Sequence, residues 1–243
     1  MSKDSVHLID IDYKIGPQSL FHRLNANFTA GITAIVGANG CGKSTLLRIL
    51  AGICQPSEGK LIIHEQDLYQ APQLKENIGY VPATPFLYPH LTVIENIILC
   101  ARLRKINQKV FKSLLPTILQ QCNLFEFQQI LFGKLSDGLK KRTMIASQLI
   151  HQPRIVILDE PCAELDPFQR QQLWELFQQW QSMNRMIIFS SHHLQEVSRI
   201  CNHIYQLSQG QLHLLPKPES AAQIRWQASP SSKVTPTLEE VCT

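Results

Sequence analysis

A glycine-rich segment between an apolar run and a helical pattern is the feature that most constrains this chain. Residues 37–44 read GANGCGKS and match G-x-x-x-x-G-K-[ST], directly after the continuous apolar run ITAIV at residues 32–36. Such a run predicts a buried parallel strand, and glycines let the following backbone curl so that its N–H groups face phosphate oxygens. The helix that starts next adds the positive end of its dipole. The sequence therefore predicts a phosphate-binding loop, and the alternative is a glycine-rich turn without a function.

Apolar and alternating runs predict the architecture around this loop. Residues 155–158 (IVIL) and 186–189 (MIIF) are continuous apolar runs, and helical patterns separate these runs along the chain. Buried runs that alternate with helices predict an α/β fold with a parallel sheet. Near the N-terminus, residues 6–15 alternate apolar and polar side chains, and residues 25–30 and 60–64 continue a β-rich segment.

Residues 91–150 have the pattern of an all-helical insertion. Thr92 and Glu95 have the T-x-x-E spacing of a capping box, and apolar residues follow them at helical spacing. Ser136 precedes another helical pattern and is a suitable N-cap residue. We therefore expect a helical subdomain between the parts of the chain that form the sheet.

Two carboxylates follow the apolar run at residues 155–158. Asp159 and Glu160 stand where that strand ends, and ligands of open α/β sheets bind at this edge. Asp159 is expected to hold Mg²⁺ through water together with the Ser44 hydroxyl, while Lys43 reaches the β- and γ-phosphates. Glu160 is expected to orient or deprotonate the attacking water. The alternative is an acidic surface turn without a function.

Composition and the chain termini limit the classes of function. The net charge is +4 and the basic residues are scattered, which argues against a nucleic-acid partner. The N-terminus lacks the apolar region of a signal peptide, and no apolar run reaches the roughly 18 residues that span a bilayer. Any role at a membrane is therefore expected to involve a partner. After Leu215 the chain becomes polar, which predicts a domain at residues 1–215 and a poorly ordered tail at residues 216–243.

The cysteines indicate reduced thiols. Seven cysteines occur without any C-x-x-C pair, a pattern that favours neither a disulfide framework nor a zinc site. Cys41 lies inside the glycine-rich segment beside Lys43, at the start of a predicted helix. A neighbouring cation and a helix N-terminus both lower the pKa of a thiol, so we expect Cys41 to be reactive.

Residues 135–139 read LSDGL and stand ahead of residues 155–161, which read IVILDEP. These segments are similar to the signature motif and the acidic strand end of the ABC ATPases, and the resemblance extends over nearly the whole chain. Tyr13 resembles the aromatic residue that stacks on adenine, residues 164–166 (ELD) resemble the D-loop, and His192 resembles the switch histidine. GTPases carry an N-K-x-D motif that binds guanine, and this motif does not occur in the sequence.

The resemblance implies a RecA-like P-loop NTPase core, an N-terminal antiparallel β subdomain and an inserted α-helical subdomain. It implies ATP and Mg²⁺ as ligands, with Glu160 and His192 as catalytic residues and Ser44 and Asp159 as metal-binding residues. It also implies two ATP sites between two subunits, where the signature segment of one subunit faces the γ-phosphate held by the other. The residues assigned to ATP are Tyr13, Gly37, Ala38, Asn39, Gly40, Cys41, Gly42, Lys43, Ser44, Thr45, Ser136, Gly138 and Asp166.

Two departures from the family pattern concern the rate of hydrolysis. Asp137 and Leu139 replace two residues of the usual LSGGQ, and Asp137 places a negative charge near the partner's γ-phosphate. Like charges about 4 Å apart repel by roughly 4 kcal/mol at an effective dielectric constant near 20, so we expect the Asp137 side chain to point away. In residues 78–83 (IGYVPA), Ala83 stands where the family has a glutamine that contacts Mg²⁺ and the attacking water.

The resemblance extends to a branch of the family and to its partners. Residues 86–93 (FLYPHLTV) and 236–241 (PTLEEV) resemble the ATPases of ABC-2-type exporters. This similarity implies a peripheral protein on the cytoplasmic face of a membrane, bound to a permease subunit and to a second ABC ATPase subunit in a homo- or heterodimer. Two alternatives stay open, namely a slow or non-hydrolysing nucleotide-dependent clamp and a soluble ABC ATPase that acts on nucleic acid or ribosomes.

Overall fold

A computed structural model describes residues 5–192 and 197–216 of the chain. Its strands are β1 (Ser5–Ile15), β2 (Gln18–Thr29), β3 (Gly31–Val36), β4 (Glu58–Ile63), β5 (Gln66–Asp67), β6 (Ile78–Val81), β7 (Ile155–Leu158), β8 (Met186–Ser191), β9 (His203–Ser208) and β10 (Gln211–Leu214). Its α-helices are α1 (Lys43–Leu50), α2 (Val93–Leu103), α3 (Gln108–Gln121), α4 (Asp137–Leu149) and α5 (Pro167–Ser182).

The strands form two sheets. An antiparallel sheet has the order β2-β1-β4-β5, and a six-stranded sheet has the order β10-β9-β3-β8-β7-β6. In the second sheet, strands β9, β3, β8, β7 and β6 are mutually parallel, and only β10 runs antiparallel to its neighbour. The α/β fold with a parallel core and an antiparallel N-terminal sheet is therefore confirmed.

The register of the parallel strands brings their carboxyl ends to one edge. Val36 pairs with Ser191, and Leu158 pairs with both Phe189 and Val81. Residues that follow β3, β6, β7 and β8 therefore meet at the same edge of the sheet. This edge is where an open α/β sheet binds ligands.

Alternate residues of the buried strands pack on opposite faces of this sheet. Ile35 and Ile157 join the cluster formed with α1 and the antiparallel sheet, whereas Ala34 and Val156 join the cluster that contains residues of α2, α4 and α5. Because both faces are covered, β3, β7 and β8 are buried along their whole length. Such burial explains why the sequence shows these strands as continuous apolar runs.

Three helices, α2, α3 and α4, occupy the predicted helical insertion. Thr92 caps α2, since its hydroxyl accepts from Glu95 N at 3.2 Å and the Glu95 carboxylate accepts from Thr92 N at 2.8 Å. Ser136 caps α4 and accepts from Leu139 N at 3.4 Å. Both N-caps agree with the sequence-based predictions.

Some boundaries differ from expectation. Strand β2 begins at Gln18, well before residue 25, because it pairs with β1 along nearly its whole length. The predicted tail, except Pro216 at its start, and the exporter-like residues 236–241 lie outside the described residues. In the part of the chain that the structure describes, no helix is both long and apolar enough to cross a bilayer.

Candidate nucleotide-binding site

The glycine-rich loop connects the end of β3 to the start of α1. Gly42 has a φ of 106°, in the left-handed region that favours glycine, and it is the N-cap residue of α1. At Gly37 a Cβ atom would lie 2.6 Å from the carbonyl oxygen of Leu207, so only glycine fits there without a backbone shift. The first turn of α1 contains no acidic residue, which leaves the positive end of the helix dipole available to an anion.

Lys43 places its ammonium group at the centre of this loop. The side chain is only 7% exposed, and Nζ donates to the carbonyl oxygens of Gly37 at 2.9 Å and Ala38 at 3.1 Å. Nζ also lies 3.6 Å from Glu160 Oε1. The structure therefore brings together the lysine of the loop and a carboxylate that lies 117 positions later in the chain.

A serine links the two acidic residues at the end of β7. Ser190 Oγ donates to Asp159 Oδ1 at 2.7 Å and accepts from Glu160 N at 2.8 Å. Asp159 is only 2% exposed, and its backbone N–H donates to Val81 O at 2.8 Å. Ser190 therefore orients both residues, a function that the sequence analysis did not predict. Its position near the end of an apolar strand was the available signal.

His192 approaches the same carboxylate from the end of β8. Its Nδ1 lies 3.1 Å from Glu160 Oε2, and its side chain is 43% exposed. Glu160 thus lies between His192 and Lys43, with one oxygen facing each. The predicted catalytic pair is adjacent in the structure.

A second group of predicted residues surrounds the start of α4 and α5. Asp166 Oδ1 accepts from Gln169 N at 2.8 Å, and the Gln169 side chain covers Gly138, where a Cβ atom would lie 2.7 Å from it. Ser136 and Asp166 are exposed, whereas Gly138 is buried under Gln169. Gln169 therefore connects the signature-like segment to the D-loop-like segment of the same chain.

Asp137 forms an ion pair within its own helix. Its carboxylate lies 3.2 Å from Lys140 Nζ, an ion pair between residues three apart on an exposed surface. The pair reduces the net charge that Asp137 presents to an incoming phosphate.

Tyr13 is connected to the loop through one aromatic residue. Its ring centroid lies 6.4 Å from that of Phe21, and the Phe21 ring lies 3.1 Å from the position that a Cβ atom on Gly42 would occupy. Tyr13 is half-buried on β1, so part of the side chain faces solvent beside the loop. This position is suitable for stacking on the base of a nucleotide.

The expectation that Cys41 has a lowered pKa is wrong. Burial of the thiol is the largest effect and raises the pKa of Cys41, although the Lys43 ammonium group acts in the opposite direction. The Cys41 sulfur lies 2.7 Å from the position of a Cβ atom on Gly37, so it packs inside the loop. The effect of burial on the pKa of Cys41 therefore exceeds the opposite effects of the Lys43 cation and the helix N-terminus, which were the features visible in the sequence.

These residues fit a nucleoside triphosphate with Mg²⁺. A loop with no room for a side chain at Gly37, a buried ammonium group and the N-terminus of α1 suit phosphate oxygens. Ser44 and Asp159 are oxygen donors of the type that Mg²⁺ prefers, and they flank the loop and the strand end. The chemistry that such a site supports is phosphoryl transfer to water.

Comparisons with known proteins agree with this arrangement. The sequence profile of the ABC transporter family matches residues 21–163, more than half of the chain. The chain is 35% identical over 184 residues to human ATP-binding cassette sub-family A member 10, an alignment that covers 74% of this chain and 12% of that protein. It is 32% identical over 202 residues to the probable multidrug ABC transporter ATP-binding protein YbhF of Escherichia coli, covering 82% and 35% respectively. The chain thus spans about a third or less of these two relatives.

One further relative and one solved structure match this chain over a larger share of their own length. Nod factor export ATP-binding protein I of Cupriavidus metallidurans is 30% identical over 216 residues, which cover 88% of this chain and 67% of that protein. The structure of cbiO1 from Clostridium perfringens, described as part of the ABC transporter complex cbiONQ, is 26% identical with a TM-score of 0.78. That match covers 87% of this chain and 88% of cbiO1. On this evidence the chain belongs to the ABC transporter family, within its ATP-binding proteins.

Proposed function

We propose that this chain binds and hydrolyses ATP to power a membrane transporter. The observation that carries the proposal is the 3.6 Å approach of the Lys43 ammonium group to the Glu160 carboxylate at the end of β7, beside a loop that has no room for a side chain at Gly37. The proposed ATPase domain is residues 1–215, with a helical subdomain at about residues 91–150.

Each residue of the site has a proposed task. Lys43 and the backbone N–H groups of residues 37–42 hold the phosphates, and Tyr13 contacts the base. Ser44 and Asp159 hold Mg²⁺, which supplies charge neutralisation on the phosphate oxygens. Glu160 accepts a proton from the attacking water, and its 3.1 Å contact with His192 Nδ1 holds the carboxylate in place.

A second ABC ATPase subunit is proposed to complete each site. Ser136 and Gly138 lie at the N-terminus of α4, where the helix dipole favours an anion, and Ser136 is exposed. We place the γ-phosphate of the opposite subunit there, with Asp166 at the same interface. A homodimer and a heterodimer both satisfy this arrangement.

The names of the relatives support a direction of transport and a membrane partner. Two of them are named for multidrug transport and for Nod factor export, which supports an exporter. We propose an integral permease subunit as partner, and a peripheral position on the cytoplasmic face of the membrane. Phe86 and Tyr88 expose aromatic rings just before α2, a surface suited to such a partner.

A slow or non-hydrolysing clamp is the second candidate function. Ala83 is the observation that favours it, because a methyl group cannot bind Mg²⁺ or hold a water molecule. Glu160 and His192 favour hydrolysis, and a turnover measurement separates the two functions.

The decisive experiment substitutes Glu160. Glu160→Gln removes the proton acceptor and keeps the shape of the side chain, so we expect unchanged ATP affinity and a turnover lower by about 10²–10⁴-fold. Phosphate release and nucleotide binding are measured on the purified chain with Mg-ATP. Glu175→Gln, on the exposed side of α5, is the control and should retain the parental rate. Parental turnover in Glu160→Gln would contradict the proposed task of Glu160, and a parent that binds ATP without turnover would indicate the clamp.

A further inference from the structure

A buried lysine on α4 has no task in the proposed function. Lys141 is only 8% exposed, and its Nζ donates to the carbonyl oxygen of Ala83 at 3.1 Å. A buried ammonium group is costly unless it is paired or hydrogen-bonded. The bond spans 58 positions of sequence and joins α4 to the segment that follows β6, a strand against which α4 also packs.

The acceptor of this bond lies at the edge of the sheet that carries the carboxylates. Ala83 follows β6 by two residues, and Val81 at the end of β6 pairs with Leu158 and accepts from Asp159 N at 2.8 Å. Lys141 is therefore connected to the Asp159–Glu160 strand end through one short segment.

Charges on the sheet edge act on Lys141 directly. Burial is the largest effect and holds the pKa of its ammonium group below the ordinary value, while Asp159, Cys162, Glu164 and Glu160 act in the opposite direction, with Asp159 the strongest of the four. The acidic residues of the candidate site thus favour the charged form of Lys141. This effect agrees with the hydrogen bond from Lys141 Nζ to the carbonyl oxygen of Ala83, two residues beyond the end of β6.

The bond is independent of the side chain at position 83. The acceptor is the backbone oxygen of Ala83, the residue that stands in place of the family's glutamine. Five positions before Lys141, the same helix begins at the Ser136 N-cap, which is proposed to face the partner's nucleotide. Lys141 therefore links two elements. One is α4, whose N-terminus is proposed to face the nucleotide of the opposite subunit, and the other is the segment around Ala83, which borders the nucleotide site of its own subunit.

We propose that Lys141 is a positioning residue, which fixes the backbone of residues 82–84 against the Asp159–Glu160 strand end and couples α4 to that site. The expected effect of Lys141 on turnover rests on the proposed ATPase function, whereas its expected effect on the backbone rests on the structure alone.

The first measurement is hydrogen exchange of the nucleotide-free chain. Lys141→Met keeps an unbranched side chain of similar length and removes the donor, and replacing a buried charge by an apolar group of similar volume is often tolerated. We expect the Asp159 amide, which donates to Val81 O next to this segment, to exchange about ten-fold faster than in the parent, with an unchanged melting temperature. Lys141→Arg, which retains a donor, should restore slow exchange. Lys112→Met, an exposed site on α3, is the control.

The second measurement is steady-state hydrolysis. We expect kcat of Lys141→Met to fall about ten-fold while KM for ATP changes less than about two-fold, and Lys141→Arg to recover most of the rate. Unchanged exchange in Lys141→Met would overturn the proposed attachment, and unchanged kcat would overturn the coupling to the site. If the parent itself shows no turnover, the ATPase proposal fails, while the exchange experiment still decides whether Lys141 fixes residues 82–84.

Discussion

At the scale of single residues, one hydroxyl orders the two acidic residues at the end of β7. Ser190 donates to Asp159 and accepts from the Glu160 backbone, so a single side chain fixes both acidic residues relative to β8. Glu160 has a φ of 43°, which a non-glycine residue adopts only where its surroundings hold it. The strained backbone, the serine and the Lys43 contact together define where the Glu160 carboxylate lies.

Ala83 provides a prediction at the same scale. A glutamine there adds a group that can contact the metal and the water, and a hydrogen bond to a charged group is worth about 1.5–3 kcal/mol. We therefore expect Ala83→Gln to raise the ATPase rate about ten- to a hundred-fold with little change in ATP binding. Because Lys141 bonds the backbone oxygen, the substitution leaves that contact intact.

Thr84 is the control for this prediction. Its side chain is exposed beside Ala83 and carries a hydroxyl that is able to hold a water molecule. Steady-state ATPase rates are compared for the parent, Ala83→Gln and Thr84→Ala. An unchanged rate in Ala83→Gln, together with a collapse in Thr84→Ala, would show that Thr84 already supplies the missing contact.

At the scale of elements, a histidine joins the end of α4 to β6. His151 Nε2 donates to Ile78 O at 3.2 Å, and its Nδ1 is buried without a hydrogen-bond partner. Burial lowers the pKa of His151 to about 4, with help from the charge of Arg104. The neutral ring is thus part of the packing between α4 and the edge strand of the sheet.

This contact predicts an acid-sensitive stability. The folded pKa of His151 lies below the value of about 6.5 in an unfolded chain, so the unfolded chain binds more protons between pH 6.5 and pH 4. Stability therefore falls as the pH drops through this interval, by at most about 3 kcal/mol from this group. His151→Gln keeps an amide donor for Ile78 and cannot titrate. The free energy of unfolding of this variant should therefore fall less steeply than that of the parent over the same pH interval.

Urea unfolding at several pH values measures the difference. His90→Gln, at an exposed position, is the control and should follow the parent. Parallel pH profiles for the parent and His151→Gln would contradict the assignment of a buried neutral ring.

At the scale of the whole molecule, the candidate site has two separate parts. The loop, Lys43 and the Asp159–Glu160 strand end form one group, and Gln169 connects Gly138 to Asp166 in another. A nucleotide held by the first group of one copy is proposed to contact the second group of another. ATP should therefore hold two subunits together as long as it is not hydrolysed.

The corresponding prediction concerns association. In the Glu160→Gln background, Mg-ATP should shift the chain from monomer to dimer, as measured by light scattering coupled to size-exclusion chromatography. Adding Ser136→Glu places a negative charge at the N-terminus of α4 and should abolish the shift, since like charges near a phosphate repel. Ser113→Glu, exposed on α3, should not affect it. A chain that stays monomeric with ATP would contradict the homodimer and point to a different ABC ATPase chain as partner.

The sequence alone was sufficient to predict the glycine-rich loop, the buried strands and the two N-caps. Each of these features is local: the loop requires glycine at set positions, a buried parallel strand requires a continuous apolar run, and Thr92 and Ser136 satisfy N–H groups three residues away. The acidic residues at 159 and 160 were also predictable, because they directly follow such a run.

Only the tertiary structure determined the surroundings of these residues. Ser190 lies 31 positions from Asp159, and Lys141 lies 58 positions from Ala83, so neither contact has a signal in local spacing. The same holds for Cys41, where the nearby Lys43 and helix start predicted a lowered pKa and burial raises it. Burial and long-range hydrogen bonds depend on how distant segments pack together, and a local motif contains no information about that packing.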